Sequence, residues 1–322
     1  MNKNNGIGEG KKEMKKLSKL AFEEVNNWLY RNARPLDLAL YQYHFEQGSK
    51  DEVLQILQCY QNSDGGFGNT IDPDSWNPAS TPYNAQIVIK MLRQIDFVDV
   101  THPIYTGIFR YLEDTEFQSE QGWFFTIPSN DNYPHGIWWS YNPESNSYQN
   151  VGTTASLCGF LLRYGDKSSK LYQIALGYTK MLLARLSVEK EHGDMGVGGY
   201  CELLEDMEAA ELSDEFNLQE VSEQISLLVK DKIEKDKDNF MANPLEFVLS
   251  PNSRYYEDNK QDVESALDTI IEGRPANGVW DIPWEWYNEF TASKNFAITE
   301  NWWKAAKATD KLMQLRNFGR LE

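Results

Sequence analysis

Residues 61–68 read QNSDGGFG, between the apolar helical run VLQILQCY and the segment NTIDPDSWNPASTP. A chain that leaves a helix and turns sharply calls for positive φ, which Gly65 and Gly66 adopt without a Cβ clash. Phe67 is expected to fold back over the exposed helix end, and Asp64 to accept hydrogen bonds from free N–H groups of the turn. The stretch therefore reads as a hinge between two helices.

The pattern recurs. Gly-aromatic segments return as EQGWFF at 120–125, GDMGVGGY at 193–200 and ANGVWDIPWEW at 276–286, with Trp123, Tyr200 and Trp280 in the place of Phe67. Between them the apolar spacing is helical. Leu17, Leu20, Ala21, Val25, Trp28 and Leu29 form one face over 12–31. Pro35 starts a second helix over 35–47, and Ser49 with Glu52 makes a capping box for a third. Thr81-Pro82 opens a fourth through Ile95. Further helices are expected near 103–116, 151–164, 168–187, 200–212, 217–235, 261–272 and 299–316. Strand-like alternation never persists. About a dozen helices joined by recurring hinges predict a helical-hairpin repeat, whose units bury their apolar faces only against one another.

Composition narrows the function. The 322 residues carry a net charge of −18, which repels nucleic-acid phosphates and anionic lipid surfaces. Ten Trp and 17 Tyr supply many large amphipathic rings, suited to pocket walls as much as to a core. Cys59, Cys158 and Cys201 are scattered without CxxC spacing, so neither a disulfide framework nor a zinc knuckle is expected. The basic N-terminus lacks the apolar run of a secretory signal, and no stretch is apolar enough to span a membrane. The expectation is a cytoplasmic protein with a loose arm over 1–14 and one domain over 15–322.

Gln61-x-x-Asp64-Gly65-Gly66-Phe67 resembles the QW repeat, Q-x-x-D-G-x-W, of the terpenoid cyclases and protein prenyltransferase β subunits, with Phe in place of Trp. Arg274-x-x-Asn277-Gly278-Val279-Trp280 is a second, weaker copy. The resemblance implies an all-α (α/α)6 toroid, with inner and outer helices alternating around a central cavity. The chain also resembles a bacterial group of small toroid proteins in which a DGGFG loop leads to an acidic-Pro-Asp segment, here Ile71-Asp72-Pro73-Asp74. That group also carries a Trp-rich loop, here Trp280 to Trp286, and a final LRxFGR, here Leu315 to Arg320. It implies a fold and no particular activity.

The chemical motifs of the enzymes carry over only in part. Class II cyclases protonate an alkene from a D-x-D-D segment, whose neighbouring carboxylates keep the acid protonated. Asp72-Pro73-Asp74-Ser75 keeps two acids and lacks the last. The prenyltransferase zinc set of Asp, Cys and His is not placed among the four histidines and three cysteines. Cys158 reads as a core residue, and His192 with Cys201 does not make a metal site. DDxxD, P-loop and G-x-S-x-G motifs are absent, so no cofactor is implied.

Three segments hold candidate site residues. Asp72 and Asp74 precede a helix, as an acid pair or as turn caps. His135, Trp138, Trp139 and Tyr141 lie in a long insertion over about 117–150, as an acid or base with stacking rings, or as a plug for the barrel. Trp280, Asp281, Trp284, Glu285 and Trp286 combine indoles with two carboxylates, a combination that serves glycosidic cleavage if the acids stand at the right separation, or a packed repeat loop if they do not. Three functions are therefore expected as alternatives: an isoprenoid-handling enzyme or its non-catalytic relative, a carbohydrate-active hydrolase or lyase, and a peptide- or protein-binding scaffold. The first two would hold an apolar small molecule or a glycan in the central cavity.

Overall fold

The computed structural model describes residues 14–235, 243–276, 278–291 and 293–322. Within them the fold is helical: α1 Lys19–Asn32, α2 Pro35–Phe45, α3 Lys50–Gln58, α4 Pro82–Gln94, α5 Pro103–Asp114, α6 Asn150–Tyr164, α7 Lys170–Leu186, α8 Gly196–Ala209, α9 Leu218–Lys235, α10 Tyr256–Glu272 and α11 Lys294–Asn317. The one strand pair described is short, β1 Gln118–Ser119 antiparallel to β2 Gly122–Trp123.

Local chemistry sets the starts. Ser49 Oγ accepts from Glu52 N at 3.2 Å while Glu52 Oε2 accepts from Ser49 N at 3.1 Å, closing the expected capping box of α3. Thr81 Oγ1 accepts from Asn84 N at 3.0 Å, with Pro82 as the first residue of α4. Helix α1 begins only at Lys19, where Ser18 caps it, and Leu20 lies outside the apolar face. Helix α8 begins at Gly196, inside the segment expected to be a loop. Its glycines serve packing: a Cβ on Gly199 would lie 2.4 Å from the Gly152 carbonyl oxygen of α6, so the two helices meet backbone to backbone.

The QNSDGGFG hinge behaves as expected at one glycine and differently at the other. Gly65 has φ +94°, but Gly66 does not adopt positive φ. Gly66 is required by space, since a Cβ there would lie 2.6 Å from Ser80 Cβ and 2.7 Å from the Tyr111 ring. Asp64 Oδ1 accepts from Gly66 N at 2.9 Å and from Ser80 Oγ at 2.8 Å, and Phe67 is fully buried. The loop aromatics close helix ends. Trp123 Nε1 donates to Leu112 O of α5 at 3.3 Å and Trp280 Nε1 to Ile270 O of α10 at 2.7 Å, each satisfying a carbonyl of a last turn that has no helical partner. Asn277 of the weaker repeat lies outside the described residues.

Helix α11 packs on α1, α2 and α10, α4 on α6, α6 on α7 and α8, and α9 on α8 and α10. The two ends of the described chain join: Leu17 N donates to Arg320 O at 2.8 Å, and Glu322 N to Leu17 O at 3.1 Å. Arg320, the last residue of the LRNFGR segment, is buried and pinned by Glu264 and Asp268. One apolar cluster runs from Leu17 to Phe318. None of the described helices is long and apolar enough to cross a membrane.

Candidate functional site

The segment leading to Asp72 is held in an unfavourable conformation. Asn69 and Thr70 have φ +55° and +67°, a region that a β-branched residue occupies only under external constraint. Arg34 supplies part of it, donating from Nη1 to Thr70 O at 2.8 Å. Its guanidinium is buried and fixed by two hydrogen bonds to Asp37, at 2.7 and 3.1 Å. The chain then carries Asp72 and Asp74 inward, where both are buried. Asp74 N donates to Asp72 Oδ1 at 2.7 Å, an Asx turn that fixes the pair.

The three candidate segments meet at these carboxylates. Gly136 N donates to Asp74 O at 2.9 Å and Trp76 N to Pro134 O at 3.0 Å, joining the Asp72 loop to the His135 insertion. Ile137 N donates to Trp286 O at 3.2 Å, and Asn288 Nδ2 to His135 O at 2.7 Å, joining the insertion to the C-terminal loop. Trp286 Nε1 donates to Asp74 Oδ1 at 2.6 Å and Trp284 Nε1 to Asp74 Oδ2 at 3.2 Å. Thr299 of α11 donates to Pro73 O at 2.8 Å and accepts from Trp76 Nε1 at 3.0 Å.

Burial dominates the electrostatics of the pair. It pushes the Asp72 carboxyl up to about 8, helped by the Asp74 charge and opposed by the Asp74 N–H and Arg34. Asp74 rises to about 6, again through burial, with Trp286, Trp303 and Trp284 favouring its ionised form. The Trp303 indole N–H is buried and faces the same carboxylate, outside normal hydrogen-bond geometry. Two carboxyls so raised retain a proton near neutral pH, as an acid catalyst requires. Tyr83 of α4 completes the surroundings: burial and the charges of Asp72, Asp74 and Glu202 raise its hydroxyl well above the usual tyrosine value.

The other candidates separate into two groups. Trp139 is buried against Tyr83 and Phe125, with ring centroids 4.4 and 4.8 Å away. His135 is buried and satisfied within its own insertion, Nδ1 facing Tyr133 O at 2.6 Å and Nε2 facing Ser140 Oγ at 3.0 Å, which makes it a loop brace. Trp138 packs over Gly136, and the backbone N–H of Tyr141 donates to Asp131 Oδ1 at 2.8 Å. Trp280 closes α10, as described above. Asp281 and Glu285 lie away from the buried pair. Asp281 keeps 80% of its side-chain surface and pairs with Lys304 at 2.9 Å, and Glu285 is exposed. The C-terminal loop thus brings Trp284 and Trp286 to the Asp72–Asp74 pair and leaves its acids outside.

Arg34, Tyr83, Thr299 and Trp303 also belong to this constellation. None stands in a local motif, and their part follows from where α2, α4 and α11 bring them. Among the described residues no group of three His, Cys, Asp or Glu is arranged to hold a metal ion. No family model matches the chain, and no curated protein or solved structure matches it.

Proposed function

We propose that the protein is an α/α toroid that receives an apolar, isoprenoid-like ligand in its central hollow and presents Asp72 to it as a general acid. The ring is supported by the helix packing and by the joined chain ends, which return α11 to α1 and α2.

The observation that carries the chemistry is the buried Asp72–Asp74 pair beneath the indoles of Trp284, Trp286 and Trp303. Its two members divide the work. Both Asp74 oxygens accept indole N–H groups, so Asp74 staples the C-terminal loop and raises Asp72 by its charge. Asp72 uses one oxygen for the Asp74 N–H, leaving the other to carry the proton. Transfer of that proton to an alkene carbon leaves an aspartate and a carbocation, which the π faces of Tyr83 and Trp303 would stabilise. The aspartate regains its proton when the cation loses one.

A second reading, a non-catalytic binding protein, is favoured by Trp139, which is wedged between Tyr83 and Phe125 where it fills space. The glycan alternative keeps the indoles but has Asp281 and Glu285 outside the constellation. The test is incubation with squalene, farnesyl diphosphate and geranylgeranyl diphosphate, with products read by gas chromatography and mass spectrometry. Wild type and Glu285→Gln should turn over one of them equally, while Asp72→Asn keeps its helical circular dichroism and loses turnover. Binding without turnover, unchanged in Asp72→Asn, would establish the second reading. Absence of binding to all three would overturn the isoprenoid assignment.

A further inference from the structure

Arg93 follows Tyr83 by about 15 Å along α4. There the last turns of α4 and α6 and the turn after α4 surround a recess of about 120 Å³, lined by Arg93, Arg163, Ile89, Leu92, Phe97 and Val98 among others. Its two guanidiniums are anchored by shared carboxylates. Arg163 donates from Nη1 to Asp206 Oδ1 at 3.2 Å, and Arg93 donates from Nη1 to Glu202 Oε2 at 2.8 Å and from Nη2 to Asp206 Oδ2. Asp206 is buried, and the Arg163 guanidinium carbon stands 5.0 Å from the centre of the Tyr164 ring. Among the described residues nothing accepts from Arg163 Nε or Nη2. Those two nitrogens form one edge of the guanidinium, and on Arg34 the same edge grips the Asp37 carboxylate with two hydrogen bonds, at 2.7 and 3.1 Å. On Arg163 the edge is unpaired and the side chain keeps 38% of its surface.

From this placement we infer that the recess binds a small monocarboxylate, its oxygens on the Nε/Nη2 edge of Arg163 and its hydrocarbon end against Ile89, Leu92, Phe97 and Val98. Size sets the upper limit: at protein packing density such a space holds about five or six heavy atoms, the length of a butyrate or of a glutamate side chain. Charge distribution sets the class. Phosphate is small enough but presents oxygens on every side, and the aliphatic wall has no donor for them. Its second charge would also meet Glu202 and Asp206. Asp96, at the mouth, does not occupy the arginines: its side chain keeps 94% of its surface and stands 3.9 Å from Lys50. Arg93 and Arg163 also lie where a cation complements the carbonyl ends of α4 and α6, but that role needs a charge and not a fork. The inference is independent of the isoprenoid reading, because the recess and the acid pair share α4 and no side chain.

The experiment titrates the full chain with butyrate, butyramide, N-acetylglutamic acid α-amide and inorganic phosphate at constant ionic strength, by isothermal titration calorimetry and by nitrogen-15 NMR of the arginine Nε–H signals. Butyrate should bind about tenfold more tightly than the uncharged, equally sized butyramide and should move the Arg163 Nε–H signal, which is assigned by its loss in Arg163→Lys. Arg163→Lys keeps the charge at the helix end and removes the fork, so its melting temperature should stay within about 2 °C of wild type while butyrate affinity falls about tenfold. The glutamate derivative carries the same carboxylate on a peptide unit; whichever of it and butyrate binds more tightly assigns the source of the acid. Equal affinity for butyrate and butyramide, unchanged butyrate affinity in Arg163→Lys, or binding that leaves the Arg163 Nε–H signal unmoved would overturn the site. Tighter binding of phosphate than of either carboxylate would overturn the ligand class, and absence of binding by both carboxylates to wild type would overturn the inference as a whole, with the isoprenoid reading untouched.

Discussion

Replacing Asp72 with asparagine should flatten the pH dependence of folding. An aspartate ordinarily titrates near 3.8, and burial holds Asp72 near 8 in the folded chain. Between those values the folded protein keeps a proton that the unfolded chain has released. The stabilisation linked to this group is therefore complete below pH 3.8 and is lost as pH rises toward 8. One extra proton corresponds to a slope of about 1.4 kcal/mol per pH unit, or about 3 kcal/mol between pH 5 and 7. Asparagine keeps the Oδ1 acceptor that receives Asp74 N and removes the titrating group. Asp74, raised to about 6 mainly by its own burial, contributes to the slope in both proteins and cancels in the comparison. The general loss of stability from a net charge of −18 cancels in the same way. Urea unfolding followed by far-UV circular dichroism at pH 5, 6, 7 and 8 measures the difference. Parallel curves for wild type and variant would refute the burial argument, and with it the claim that Asp72 retains its proton at neutral pH.

Two further outcomes follow from the same contacts. Gly65→Ala and Gly66→Val should each destabilise by about 2–4 kcal/mol in urea unfolding, the first through φ +94° and a Cβ 2.3 Å from Gly107 O, the second through overlap with Tyr111; a loss below about 0.5 kcal/mol in either would remove the cause assigned to it. Trp286→Phe removes the 2.6 Å donor to Asp74 and should cost about 1.5–3 kcal/mol at pH 8, less at pH 5 where that carboxyl is protonated, so an equal loss at both pH values would mean that only packing was lost.

Much of the fold was legible because its causes are local. The capping box at Ser49, the Thr81-Pro82 start and the positive φ at Gly65 all act within a few residues of chain, where a sequence window contains both partners. The misplaced boundaries have non-local causes. Gly196 to Gly199 read locally as a hinge, yet they form the first turn of α8, where Gly152 of α6 lies against Gly199, and Gly66 has no special backbone angle but a ring of α5 pressed on it.

The candidate site divides the same way. Asp72 and Asp74, the insertion around His135 and the Trp280–Trp286 loop were visible as separate clusters, because each is a local departure in composition from the helices around it. That they meet was not visible: Trp286 and Asp74 are 212 residues apart and come together only because α11 returns to pack on α1 and α2. Nor could sequence divide the C-terminal loop into its inward and outward members. Trp284 and Trp286 turn toward a carboxylate while Asp281 turns toward Lys304 and Glu285 stays exposed, because an indole N–H taken out of water needs an acceptor and a carboxyl group at the surface keeps its water. The sequence by itself determined the helices, the hinge and the supply of acids and indoles; the tertiary structure alone decided which of them share one desolvated space, since desolvation depends on every element packed around a group and not on its neighbours in the chain.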